Sequence, residues 1–179
     1  MDNESITAFL FIEVKARRSG HVVDILEKAY EEILEAAAVY AEIDVITRVT
    51  ASTARMGKLL LELMQDTICV HNPEHNISDT FEVNAIHPFL VDGSIYWASN
   101  VNEINLGDGI FAYVVIEIDE MQGTRSQVLQ DLRKCDGVLY SACLVKRAKI
   151  LTKVKAPNKL AFDNKVMHQI QAIPGVKTT

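Results

Sequence analysis

The sequence predicts an α+β fold in which one unit is written twice, and three observations carry this. Phe9-Leu10-Phe11-Ile12-Glu13-Val14 is answered by Tyr113-Val114-Val115-Ile116-Glu117-Ile118. Asp44-Val45-Ile46-Thr47-Arg48-Val49 is answered by Lys149-Ile150-Leu151-Thr152-Lys153-Val154. The offset is 104 residues from Ile12 to Ile116 and 105 from Val45 to Ile150, so the spacing inside a copy is kept. Solenoid repeats run at about 20–50 residues. A period this long points to a duplicated domain.

Residues 8–14 alternate around an apolar centre rich in Phe, Ile and Val and read as a strand. After Gly20, the residues Val22, Val23, Leu26, Ala29, Tyr30, Ile33 and Ala37 recur at three-to-four spacing, with acidic residues between them. That spacing predicts an amphipathic helix ending near Ala36–Ala38. Val39 to Val49 reads as two short strands around Glu42. Thr53 reads as the cap of a second helix with Met56, Leu59, Leu60, Leu63 and Met64 on one face. Asp79 to Ala85 alternates as a further strand.

The second copy repeats the order more tersely. Strand Phe111–Ile118 leads to a helix around Thr124–Lys134, a β-pair spans Val138–Val154, and Pro157 opens a helix that Pro174-Gly175 stops. Only Val176 to Thr179 remain for a last strand, which is therefore truncated or supplied from elsewhere. The linker around Tyr96-Trp97 is the candidate donor, because an open sheet edge needs a cover.

The order β-α-β-β-α-β is that of the split-βαβ or ferredoxin-like unit. The expected organisation is repeat 1 over residues 1–90, a linker over 91–109 and repeat 2 over 110–179. Phe9/Phe11 and Tyr113/Val115 give the first strands apolar groups on both faces. Sheets with helices on one side then need a cover for the other, and face-to-face packing into a dimeric α/β barrel supplies it. The packing is expected within one chain or between the chains of a homo-oligomer.

Composition narrows the class. With 49% hydrophobic residues and 4 prolines the chain has ample material for a core. No apolar run approaches the roughly 20 residues of a bilayer span. Met1-Asp2-Asn3-Glu4 lacks the basic start of a secretory signal, and Cys69, Cys135 and Cys143 form no disulfide set. A soluble, cytoplasmic protein with no membrane partner is expected. Residues 1–90 hold 7 Lys/Arg against 15 Asp/Glu, and residues 91–179 hold 11 against 9. Residues 133–177 contain 10 basic residues opposed only by Asp136 and Asp163. No aromatic residue interleaves their densest run, Lys146–Lys155, so a solvated face is expected and direct nucleic-acid binding is not.

Ile150-Leu151-Thr152-Lys153-Val154-Lys155-Ala156-Pro157, a helix, and then Ile173-Pro174-Gly175-Val176-Lys177-Thr178-Thr179 together resemble the effector-binding domain of the Lrp/AsnC (feast/famine) transcription regulators. The resemblance covers residues 110–179 well and 7–85 loosely. It implies a domain that pairs into a dimeric α/β barrel and binds an amino acid or other small effector. Members usually carry an N-terminal helix-turn-helix, for which the first strand by Ala8 leaves no room. Regulation through helix-turn-helix-bearing relatives is therefore expected. The family's effector loop has a Gly before an acidic-aromatic-Asp run; here Ala41 stands for Gly and Ile43 for Tyr, while Asp44 fits. The resemblance implies ligand contacts from Ala41, Glu42 and Asp44, and from Thr179 in the terminal signature.

No catalytic constellation, metal site or cofactor is expected. His71 and His75 are four apart, but Pro73 between them argues a turn, and a structural zinc needs four ligands. His21, His87 and His168 stand without an acid–nucleophile arrangement. Gly107-Asp108-Gly109 reads as a turn. A stand-alone effector sensor is the expected function; a ligand-free scaffold and a dimeric α/β-barrel enzyme are the alternatives.

Overall fold

A computed structural model of the chain describes residues 5–14, 19–39, 43–63, 67–72, 77–93, 95–97, 109–145 and 149–179. They form a mixed α+β structure of two compact units, Met1–Leu90 and Val91–Thr179, each with its own antiparallel sheet. No helix among the described residues is long and apolar enough to cross a membrane.

The first unit runs β1 (Ser5–Val14), α1 (Ser19–Ala29), β2 (Ile33–Ala38), β3 (Val45–Ser52), α2 (Thr53–Leu63), β4 (Thr67–Asn72) and β5 (Ile77–Leu90), with sheet order β2-β3-β1-β5-β4. Directly paired residues share a face and successive residues alternate. Leu10, Ile12, Val45 and Val49 meet Val22, Ile25 and Leu26 of α1 and Met56, Leu59 and Leu63 of α2 in one core. Phe9, Phe11 and Ile46 point to the opposite face, where the Phe11 and Phe89 rings lie 4.8 Å apart.

The predicted long helix ends early. Tyr30 N donates the last helical bond to Leu26 O at 3.2 Å, a turn follows, and Ile33–Ala38 is a strand. The alanine tract favours a helix locally, but β3, rich in β-branched residues, needs a partner on that edge. Pairing Ile33 with Val49 and Ala36 with Thr47 supplies it. The first of the two strands expected over Val39–Val49 is thus displaced upstream. At α2 the cap is Ser52, whose Oγ accepts from Arg55 N at 3.4 Å, so the expected cap Thr53 is instead the first helical residue.

The second unit runs β6 (Tyr96–Trp97), β7 (Ile110–Ile118), α3 (Arg125–Leu132), β8 (Val138–Leu144) and β9 (Lys149–Ala156). Then α4 (Lys159–Ala161) passes through a π-helical stretch (Phe162–Met167) into α5 (His168–Gln171), and β10 (Val176–Thr178) ends the unit. The sheet order is β10-β7-β9-β8-β6. Thr124 caps α3, its Oγ1 accepting from Gln127 N at 3.2 Å. Asn158 caps α4, its Oδ1 accepting from Ala161 N at 2.8 Å; Pro157 therefore precedes the cap and does not open the helix. Val114, Ile116, Ile150 and Val154 pack with Val128, Leu129, Leu132, Val166 and Ile170 as the core.

Residues 176–178 do form a last strand, three residues long and paired with the end of β7. The linker strand β6 sits at the opposite edge, beside β8. Val91 bridges to Leu144 and Asp92 N donates to Cys143 O at 2.9 Å, so the start of the expected linker belongs to the second unit.

The repeat extends to hydrogen-bond register. Ile12 pairs with Val45 and Leu10 with Thr47; at offsets of 104 and 105, Ile116 pairs with Ile150 and Val114 with Thr152. At the rungs the two ladders share, the copies therefore differ in side chains and not in register.

Candidate functional site

Ala41 and Glu42 lie outside the described residues. Asp44 lies in the first unit and is tied into the strand ends. Its Oδ2 accepts from Val14 N at 2.9 Å, its own N donates to Ile12 O at 3.1 Å, and its O accepts from Val39 N at 2.9 Å. Thr179 lies in the second unit, where its Oγ1 accepts from Gln171 Nε2 at 3.1 Å. Neither unit by itself holds the expected set of contacts.

Among the described residues no group of three or more His, Cys, Asp or Glu is placed to hold a metal. His75 and Gly107-Asp108 lie outside them. His87 is exposed and pairs with Glu13 at 3.1 Å.

The densest gathering of chemistry within a unit is on the second sheet, on the face away from its helices. Register places Tyr113 of β7 beside Lys153 of β9, Lys153 beside Tyr140 of β8, and Tyr140 beside Trp97 of β6. One step along, Phe111 pairs with Lys155. Lys153 Nζ lies 5.1 Å from the Phe111 ring centroid and 5.6 Å from that of Tyr113; Lys155 Nζ lies 5.3 Å from Phe111. Each such cation–π contact is worth about 0.5–1 kcal/mol when exposed and more when desolvated. The Trp97 and Tyr140 rings meet edge to face at 5.2 Å. Tyr140 and Lys155 are buried, whereas Phe111 and Trp97 are 49% and 48% exposed. At the far end of the same strands Lys149 pairs with Glu117 at 2.8 Å, and its hydrogen bond holds the Glu117 carboxyl below the usual carboxylate range.

The matching positions of the first unit carry different chemistry except at one rung, where Phe9 beside Arg48 matches Tyr113 beside Lys153. Arg48 stands for Lys153 and Glu35 for Tyr140, and these two form an ion pair at 3.7 Å. Thr7 and Thr50 stand for Phe111 and Lys155 and share a hydroxyl–hydroxyl bond of 2.9 Å. Where the first unit carries a carboxylate and two threonines, the second carries two rings and a lysine.

The sequence reading missed this cluster because it sought aromatics between the basic residues along the chain. They interleave across strands instead, β7, β8 and β6 contributing rings to the lysines of β9. Strand alternation, combined with the register implied by the repeat, is the signal that finds it. The arrangement can bind: rings offer flat apolar surface, and ammonium groups offer charge to an anion.

No protein-family model, curated protein or solved structure matches this chain.

Proposed function

We propose that the chain is a non-catalytic effector-sensing module of two ferredoxin-like units, similar to the effector-binding domain of the Lrp/AsnC regulators. The strand order β10-β7-β9-β8, with both helices packed on one face, supports the ferredoxin-like reading of the second unit. In the first unit β2-β3-β1-β5 supports the same reading. In this proposal the sheet faces opposite the helices pack in the dimeric α/β-barrel manner, within a chain or between the chains of a homo-oligomer.

The lysine–aromatic face of the second unit binds a small anionic effector, an amino acid being the first candidate. Binding shifts the assembly state, and helix-turn-helix relatives convert that shift into transcriptional control. The single observation that carries the reading is the exchange of the Thr7–Thr50 pair for Phe111 and Lys155. It turns a hydroxyl pair in one copy into a half-exposed ring beside two ammonium groups in the other. A ligand shifts assembly only by its differential affinity for the two states.

Calorimetric titration of the full chain with each of the twenty amino acids, paired with light scattering, tests this. Saturable heat and a changed mass for at least one of them is expected. No heat from any, with mass unchanged, would sink the proposal.

A further inference from the structure

We infer that the ligand of the second unit's sheet face is a planar anion, an aromatic ring bearing a carboxylate or a phosphate. The inference rests on the sensor reading for there being a ligand at this face, and adds what that ligand must be. An anion without a ring would be served by lysines alone. Here the lysines are framed by rings, and the two most exposed of these, Phe111 and Trp97, stand on the flanks of the cluster.

Neighbouring strands lie about 4.8 Å apart. A flat ring laid against the exposed part of Phe111 brings its charged substituent within reach of Lys153 and Lys155, whose Nζ atoms sit 5.1 and 5.3 Å from that ring's centroid. Stacking is tolerant of ring identity, and the ammonium groups select for negative charge. The first unit serves as the internal contrast. Its threonine pair Thr7–Thr50 offers no stacking surface at the same rung.

The test uses the full chain and four probes: benzoate, phenyl phosphate, acetate and benzyl alcohol. Trp97 is the only tryptophan, so its emission, together with calorimetry, reports binding at this face. At least one of benzoate and phenyl phosphate is expected to bind saturably, at least tenfold tighter than acetate or benzyl alcohol, and more weakly as salt rises. Which of the two binds better tells a carboxylate ligand from a phosphate ligand.

Phe111→Ala is expected to weaken that binding about tenfold, in keeping with the loss of one stacking ring. Phe111 is half exposed, and Phe111→Leu keeps its apolar bulk as a folding control. Lys153→Gln is expected to weaken binding similarly, with Lys153→Arg restoring most of it. Acetate binding as tightly as benzoate overturns the inference, as does unchanged affinity in both Phe111→Ala and Lys153→Gln. So does binding by uridylate oligomers that tightens steadily with length while the small probes stay silent, since the ligand is then a nucleic acid. Amino-acid binding that ignores both variants overturns the planar anion and this face as its site, and leaves only effector sensing by the chain standing. Silence from every probe and every amino acid removes both.

Discussion

Thr47→Val is expected to stabilise the chain, and the same change at the duplicated rung, Thr152→Val, to destabilise it. Thr152 Oγ1 lies 3.0 Å from Ser141 Oγ, and both residues are fully buried between β8 and β9. Thr47 occupies the matching rung of β3 and is just as buried, but the residue across from it is Ala36. Its hydroxyl has no hydrogen-bond partner among the described residues. A buried hydroxyl without a partner costs about 1–3 kcal/mol. Valine nearly matches threonine in shape, so Thr47→Val recovers on the order of 1 kcal/mol of that cost. Thr152→Val leaves Ser141 Oγ stranded and loses about 1–3 kcal/mol. Ala36→Ser supplies the missing partner and is expected to gain about 1 kcal/mol, as a net buried hydrogen bond does. For a unit of this size 1 kcal/mol moves the melting midpoint by about 4–8 °C. Thermal and urea unfolding followed by circular dichroism reads all three variants, and Trp97 emission reports the second unit separately. Thr47→Val destabilising as much as Thr152→Val would refute the reasoning.

Three further outcomes are expected. Gly137→Ala, at φ +79° with its new Cβ 2.3 Å from Lys155 O, should cost well over about 2 kcal/mol in urea unfolding. Gly93→Ala, at φ +82° in open space, should cost only the backbone penalty of about 1–2 kcal/mol; equal losses at the two sites would show that the clash counts for nothing. Stability should fall as pH drops below about 4.5, because Arg55 holds Glu32 below its usual range through their hydrogen bond, and Lys134 and Lys165 do so for Asp131 and Asp136. The folded chain then binds fewer protons than the unfolded one, so the contribution is present above the unfolded pKa and is lost as pH falls through the folded one. Glu32→Gln should flatten that slope in a midpoint-against-pH series. Burial pushes the Cys135 and Cys143 thiols up, so peptide-resolved alkylation at pH 8 should be far slower in the folded chain than in urea. Similar rates in the two states would count against it.

Strands β1, β3, β7 and β9 were legible because alternation and β-branched residues agree there with what the sheet requires. The end of α1 was not. Ala36-Ala37-Ala38 suits a helix locally, and only β3, further along the chain, decides in favour of a strand. The cap Ser52 was missed by one residue, and the helix expected to open at Pro157 begins two residues later behind the cap Asn158, since a hydroxyl or amide beside a plausible neighbour reads ambiguously until the first helical N–H is located. Tyr96-Trp97 was recognisable as a strand donor, although it sits at the edge opposite β10. Asp44 was picked out by the family resemblance alone, and the bond its carboxylate accepts from Val14 N depends on strand ends that only the fold brings together. The lysine–aromatic face exists only once strands lie side by side, so a scan along the chain passes over it.

The π-helical stretch Phe162–Met167 has a consequence for how the two copies can diverge in length. Within Lys159–Gln171 the winding loosens over six residues, yet Val166 and Ile170 still face the core. Looser winding takes up surplus residues while keeping the inward stripe aligned. A strand has no such slack, because a slip of one residue turns every side chain to the wrong face. Insertions and deletions in this architecture should therefore accumulate in helices and turns, leaving the central ladders as fixed rulers against which any variant of one half can be aligned with the other.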